Sequence, residues 1–241
     1  MNELGPEAVQ LSAFSLVIDT SICGLRFGLV ADGADEATWL GGIDEAQGSA
    51  ARLTGILNDG LKVCGLTAHA IKRTLVSCGP GSFTGIRVGI AFARGLSAGR
   101  EMAAVGCSSL SLYAAALCNR RGGPVAVYLP ATRSAGYVVL AHSPDDLRMQ
   151  PISVEDCSEL LADFPEDSFI VIAGGWPALA ETFDQIGKAY TIETASSIAD
   201  AACFEMCRLV ACGQAFEGEI GLEPIYLRRS SVEEKGNFVA K

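Results

Sequence analysis

The sequence is poor in the residues that carry most enzyme chemistry. Histidine occurs twice in 241 residues, as His69 and His142, and neither lies in a motif. A Ser-His-acid or Cys-His site has little to be built from, and no His/Asp/Glu spacing has the form of a metal site. Basic charge is also scarce: 18 Lys and Arg against 28 Asp and Glu leave a formal net charge of −10. A nucleic-acid binder carries a basic stripe, and only Arg120-Arg121 and Arg228-Arg229 stand out here. Any nucleic acid in this protein's work is therefore expected on another subunit. No apolar run approaches the ~18 residues of a membrane span; the longest, around Leu110 to Cys118, is about half that, so no membrane partner is expected. The nine cysteines are odd in number and contain no CxxC pair, which predicts reduced thiols in a cytoplasm. Cys203, Cys207 and Cys212 recur at near-helical spacing without a fourth ligand and read as small buried hydrophobes. Met1 to Gln10 lacks a basic start and an apolar signal core, and reads as a short polar extension.

What is present suits one large domain or two lobes with a sizeable core. Hydrophobic residues make up 49% of the chain, with a mean hydropathy of +0.31, so part of the surface is expected to be apolar or covered by a partner. Phe14 to Asp19, Leu25 to Val30 and Thr38 to Leu40 read as three short strands, the last closed by Gly41-Gly42. Leu53, Ile56, Leu57, Leu61 and Cys64 recur at helical spacing up to Gly65, and Gly48, Ala50, Ala51, Gly55 and Gly60 make that helix small-faced. A strand from Thr74 to Ser77, a helix from Thr84 to Ser97, a strand from Met102 to Val105 and a helix through Cys118 follow. A meander followed by crossovers implies a mixed sheet with helices on its faces. A similar order begins again at Val125, with strands Val125 to Leu129, Tyr137 to Ala141, Leu147 to Ile152 and Phe169 to Ala173. Helices are expected after Ser153, near Ala178 and from Ser197 to Cys212. The expectation is an α/β protein of two related lobes, divided as 1–106 and 107–241.

The stretch Ser77-Cys78-Gly79-Pro80-Gly81-Ser82-Phe83-Thr84-Gly85 is a strand end running into a turn, with Ser82 or Thr84 available to cap the next helix. It lacks the lysine of a P-loop, places a glycine one residue late for a dinucleotide fingerprint and lacks the spacer of a serine-hydrolase elbow. An anion could still meet the helix N-terminus, with Arg87 one turn in. The helix carries Gly85, Gly89 and Ala93 four residues apart, beside Val88, Phe92 and Leu96. Something must approach that backbone closely: a ligand, the chain's own sheet, or another helix, within the chain or in a partner. Asp19-Thr20-Ser21, an acid at a strand end beside small hydroxyls, could contact phosphate as in two-lobed ATPases or cap its own hairpin. The matching place in the second lobe holds Leu129-Pro130, and proline cannot act as a base or a Mg²⁺ ligand.

Gly79 to Gly89, with Ala93-Arg94-Gly95-Leu96, resembles the signature of the TsaB (YeaZ) family. Asp19-Thr20-Ser21 and Pro224-Ile225-Tyr226-Leu227-Arg228 resemble that family as well, and the likeness spans residues 14 to 229. The resemblance implies an actin-like, Hsp70-like (ribonuclease H-like) fold without independent catalysis. It implies a cytoplasmic accessory subunit in synthesis of threonylcarbamoyladenosine in ANN-decoding tRNAs. Such a subunit would bind TsaD, be joined by the ATPase TsaE, and meet tRNA only indirectly. It implies no cofactor or metal of its own. Leu53, Ile56, Leu57, Gly60, Gly85, Val88, Gly89, Phe92 and Ala93 are the expected partner-binding residues, for TsaD or for a second copy in a homodimer. Asp19, Thr20, Ser21, Ser82, Phe83, Thr84 and Arg87 are the residues left for an anion or nucleotide. The chain departs from the family where Gly48-Ser49 replaces a His-Ser pair, and where Pro130 and Gly136 replace two acids around Ala131, Arg133 and Tyr137. An actin-fold small-molecule kinase or a peptidase, using Ser82 and His69, is the alternative.

Overall fold

Strand β1 (Phe14–Asp19) is buried along its whole length, and its alternating side chains point into two different cores. Leu16 and Ile18 belong to one, Val17 to the other, as the two-residue period of a strand requires. The structure, a computed structural model, describes residues 13–45, 49–162, 164–214 and 221–225. The expected polar extension Met1 to Gln10, Gly48, and Tyr226 to Arg229 lie outside the described residues.

Five strands form the first sheet: β1, β2 (Leu25–Ala31), β3 (Trp39–Ile43), β4 (Ile71–Ser77) and β5 (Ala103–Cys107), in the order β3-β2-β1-β4-β5. The first three are an antiparallel meander, and β4 and β5 add in parallel after crossovers. The second sheet contains β6 (Val125–Pro130), β7 (Ala135–Ser143), β8 (Asp146–Ser153), β9 (Phe169–Ala173) and β10 (Thr191–Glu193), in the order β10-β9-β6-β7-β8. Read from β8, this is the same arrangement repeated. Two sheets of this order, flanked by helices, form the actin-like fold expected from the sequence.

The helices set the layers. Helices α1 (Ser49–Val63) and α2 (Phe83–Ser97) cover the outer face of the first sheet through Leu53, Leu57, Leu61, Ile86, Ile90 and Ala93. Helices α4 (Cys157–Ala162) and α5 (Pro177–Gln185) cover the outer face of the second. Between the sheets lie α3 (Ser109–Arg121), packed on the second sheet, and α6 (Ala195–Ala211), which packs Cys203, Met206 and Cys207 on the first. The chain thus returns from its second half to cover its first. A division at 106/107 falls inside β5, one residue before its end, and leaves α6 apart from the sheet it covers.

Three elements differ from their expected form. Gly41 and Gly42 do not close β3 but lie within it, because the Trp39 ring covers Gly41 and the backbone of Leu25 crosses Gly42 too closely for a Cβ. Helix α4 begins only at Cys157, the Ser153 hydroxyl accepting from Asp156 N in a turn before it. Strand β10 was not expected: its three residues are too few to show a period, and pairing with β9 defines it.

One side chain ties α6 to the first sheet. Arg26, buried on β2, donates from Nε to Asp200 of α6, from Nη1 to the carbonyls of Leu25 and Ile43, and from Nη2 to Asp44 and Ser196. Both carboxylates are largely exposed and would be hydrated if released, while the two carbonyls would lose their donor. Arg26→Met is therefore expected to cost about 2 kcal/mol, read as a lower urea midpoint. An unchanged midpoint would show that the guanidinium contributes nothing net.

Candidate functional site

The expected site residues gather where β1 and β4 end. Asp19 and Thr20 are neighbours whose side chains leave β1 on opposite sides, so the two face different surroundings. Asp19 points into the layer between the sheets and is 1% exposed. Its Oδ1 accepts from the backbone N and the hydroxyl of Ser21, both at 2.7 Å. The Ser21 hydroxyl lies 2.8 Å from that of Ser77 and 3.1 Å from that of Ser109, which are 2.9 Å from each other. Three serines from β1's turn, β4 and the start of α3 thus form a closed hydroxyl cluster on one carboxyl group. Oδ2 of Asp19 is buried with no partner among the described residues. Burial pushes the Asp19 pKa up, and hydrogen bonds from Ser21, Ser109 and Ser77 oppose it.

Thr20 faces α2. Its hydroxyl donates to the Gly85 carbonyl at 2.7 Å. A Cβ on Gly85 would lie 1.9 Å from the Thr20 carbonyl oxygen, and one on Gly89 would lie 2.4 Å from the Thr20 hydroxyl. The turn before α2 presses on the next residue: Ser82 N donates to the Ser21 carbonyl at 2.7 Å, and a Cβ on Gly81 would lie 2.0 Å from that oxygen. Gly79 and Gly81 hold φ of 110° and 151°, which side chains disfavour. The close approach predicted for this glycine stretch is therefore real, but its object is the chain's own Thr20-Ser21 turn. Among the expected partner-binding residues, Gly89 and Ala93 are buried, as are Leu53, Leu57 and Gly60 of α1, with the Trp39 ring over Gly60. Of the nine expected partner-binding residues, Ile56, Gly85, Val88 and Phe92 are half-buried. The exposed faces of these helices include Thr54, Gly55 and Asn58 on α1 and Thr84, Arg87, Ala91 and Arg94 on α2.

The seven residues left for an anion divide likewise. Asp19, Thr20 and Ser21 are buried and engaged with one another and with α2, whereas Ser82, Phe83, Thr84 and Arg87 are exposed. The expected cap is present: Ser82 Oγ accepts from Gly85 N at 3.1 Å. Arg87 stacks over the Phe83 ring, 3.8 Å from its centroid. His69 lies in a short 3-10 turn, Ala68–Ala70. No group of three or more His, Cys, Asp or Glu that could hold a metal occurs among the described residues.

The second half shows why its acids are missing. Pro130 and Gly136 are cross-strand partners at the end of the β6–β7 hairpin. A Cβ on Gly136 would lie 2.7 Å from the Trp176 ring and 2.3 Å from the Leu129 carbonyl oxygen. Trp176 Nε1 donates to the Arg133 carbonyl at 2.8 Å. An indole thus closes the hairpin where acids were expected, a contact between residues some forty positions apart that no local spacing announces. A cleft of about 600 Å³ remains beside it, lined by Pro130, Arg133, Gly174, Trp176 and Glu181.

Comparison with known proteins agrees with this geometry. A family model described as TsaD, tRNA N6-adenosine threonylcarbamoyltransferase, matches residues 44–158. The tRNA threonylcarbamoyladenosine biosynthesis protein TsaB of Escherichia coli (strain K12) is 25% identical over 186 residues, covering 74% of this chain and 80% of that protein. YeaZ from Pseudomonas aeruginosa superposes with a TM-score of 0.60 at 20% identity, over 89% of this chain and 100% of that one. An uncharacterized protein with similarity to peptidase YeaZ from Pseudomonas aeruginosa gives 0.64 at 20% identity, over 90% and 100%. The two structures share the fold, and the curated relative bears out the resemblance to the TsaB (YeaZ) family. Among the described residues no helix is long and apolar enough to cross a membrane.

Two substitutions within α2 test the close approach. Gly85→Ala is expected to lower stability by about 3 kcal/mol through overpacking on Thr20. Gly95→Ala, with open space around its Cβ, is expected to raise it by up to about 1 kcal/mol. Equal effects in urea unfolding would contradict the packing described. Asp19 supplies a pH test. With its pKa raised in the folded state, the stability it contributes is complete below the unfolded carboxyl pKa of about 4 and lost as pH rises through the folded value. Asp19→Asn should remove this fall, its urea midpoint gaining on the parent from pH 4 to pH 8. Parallel profiles would mean that Asp19 is not the titrating group.

Proposed function

We infer that this chain, a member of the TsaB (YeaZ) family, serves threonylcarbamoyladenosine synthesis in tRNA as a non-catalytic subunit that binds and activates TsaD. The observation that carries this reading is the sealed Asp19. The acid that a two-lobed ATPase would present to phosphate is 1% exposed, with Oδ1 held by Ser21 and the Gly81–Gly85 turn pressed on the residues that follow it. Its counterpart in the second half is Pro130. The rival enzyme readings also lack parts: a kinase would need Asp19 open to nucleotide, and a peptidase would need the Ser82 oxygen that caps α2.

The exposed faces of α1 and α2 are the proposed TsaD surface, and a second copy of the chain is the other occupant they would fit. Both helices are braced from behind by the first core, so a partner would meet a preformed surface and little ordering cost would oppose binding. The match of the TsaD model to residues 44–158, which include both helices, suits a pairing between two chains of related fold. TsaE would join through that pair. The charge of −10 suits a tRNA held by TsaD rather than by this chain, and the cysteine usage suits a cytoplasm.

The test combines the purified chain with its cognate TsaD, threonylcarbamoyl-adenylate, tRNA and TsaE with ATP. Transfer is expected only with this chain present, and the two proteins should co-elute. Gly55→Arg and Ala91→Arg, both at exposed helix positions, should weaken binding at least about tenfold with circular dichroism unchanged. TsaD that is fully active alone and never co-elutes would end the proposal.

A further inference from the structure

The Gly221–Ile225 segment lies far along the chain from α2 yet packs beside it. Leu222 and Ile225 are half-buried against the first core, the one that holds Ile86 and Cys78. Ile225 N donates to the Cys78 carbonyl at 2.8 Å, just past the end of β4 in the signature turn. Arg94, on the exposed side of α2, reaches over and donates from Nη2 to the Leu222 carbonyl at 2.8 Å. The seat beneath includes Gly106, where a Cβ would stand 2.8 Å from the Gly221 carbonyl oxygen and 2.4 Å from the Cys78 sulfur. The Ile225 carbonyl oxygen lies over Gly79, at an ordinary contact distance of 3.4 Å from a Cβ there.

We propose that residues 221–225 are a releasable strap: docked, they hold the Cys78–Pro80 turn and α2 in place, and so couple the C-terminal part of the chain to the outer face of α2. Among the described residues its ties are two hydrogen bonds and the half-buried Leu222, Pro224 and Ile225, with Gly221 and Glu223 exposed, which places it toward the low-stability end of local opening. What they hold is specific: the turn that presses on Thr20-Ser21 and the helix that follows it. The coupling to a partner rests on the reading of α2 as a binding surface; the strap itself does not.

Cysteine alkylation mapped by mass spectrometry on the full chain separates local release from unfolding. Cys78 lies under the strap, 2% exposed, with its thiol pKa pushed up by burial. Cys203 and Cys207, as deeply buried on the inner face of α6, serve as internal controls. Leu222→Asp should raise alkylation of Cys78 by iodoacetamide about tenfold, with Cys203 and Cys207 unchanged. Arg94→Ala, at an exposed position, should produce a smaller rise in the same cysteine alone. An unchanged Cys78 rate in both variants, or a rise shared by all three cysteines, overturns the strap. Binding of TsaD to Leu222→Asp then tests the coupling. Weaker binding alongside released Cys78 supports it, and released Cys78 with unaltered affinity overturns it. If the parent chain binds no TsaD, the functional reading fails while the alkylation result stands.

Discussion

The contact between the glycine face of α2 and the Thr20-Ser21 turn is the constraint on which the first half of the molecule depends. Gly81, Gly85 and Gly89 each lie where a Cβ would enter the space of Thr20 or Ser21. Glycine in a helix interior disfavours the helix by about 1 kcal/mol, and here that cost brings a helix backbone against a strand turn. The Thr20 hydroxyl then reaches the Gly85 carbonyl, and Ser21 is held where its own hydroxyl meets Asp19 and the two other serines. One close approach thus places α2 on the outer face of the sheet and closes the polar cluster on the inner face.

That geometry changes what a phosphate-like motif means. A glycine turn before a helix, close to an acid at a strand end, has the ingredients of an anion site. Here the turn and the acid-bearing strand are packed on each other, and two of the donors at the helix start are used within the chain. Ser82 N serves the Ser21 carbonyl, and Gly85 N serves the Ser82 hydroxyl. An acid in such surroundings is desolvated without a ligand's cation to compensate, so its preferred form shifts toward the protonated one.

Element order, the Ser82 cap and the demand for a close approach at Gly85 and Gly89 were legible in the sequence, because each depends on residues within a few positions. Helical period also grouped Val88, Phe92 and Leu96 with the small residues on the packed side of α2. Its object was not legible, since Thr20 lies 65 positions from Gly85 and nothing in either stretch names the other. The same limit hid the return of α6 to the first sheet, which rests on Arg26 meeting Asp200, 174 positions away. Small residues on a helix state that a neighbour comes near; they do not state whether that neighbour belongs to the same chain.

The two halves repeat one sheet order but close their hairpins with opposite chemistry. At the end of β1, an acid is buried under three hydroxyls; at the end of β6, proline and glycine lie under an indole. A nucleotide held between such halves would have to open a buried, hydrogen-bonded cluster on one side and displace an apolar ring contact on the other. Each would cost on the order of 1–3 kcal/mol or more before any binding began. A surface partner faces neither cost, because the outer faces of α1 and α2 are already exposed and braced by the core behind them. Interaction energy is therefore more readily realised on the outside of the first lobe than between the lobes. The sealed interior serves that outer surface by keeping it rigid.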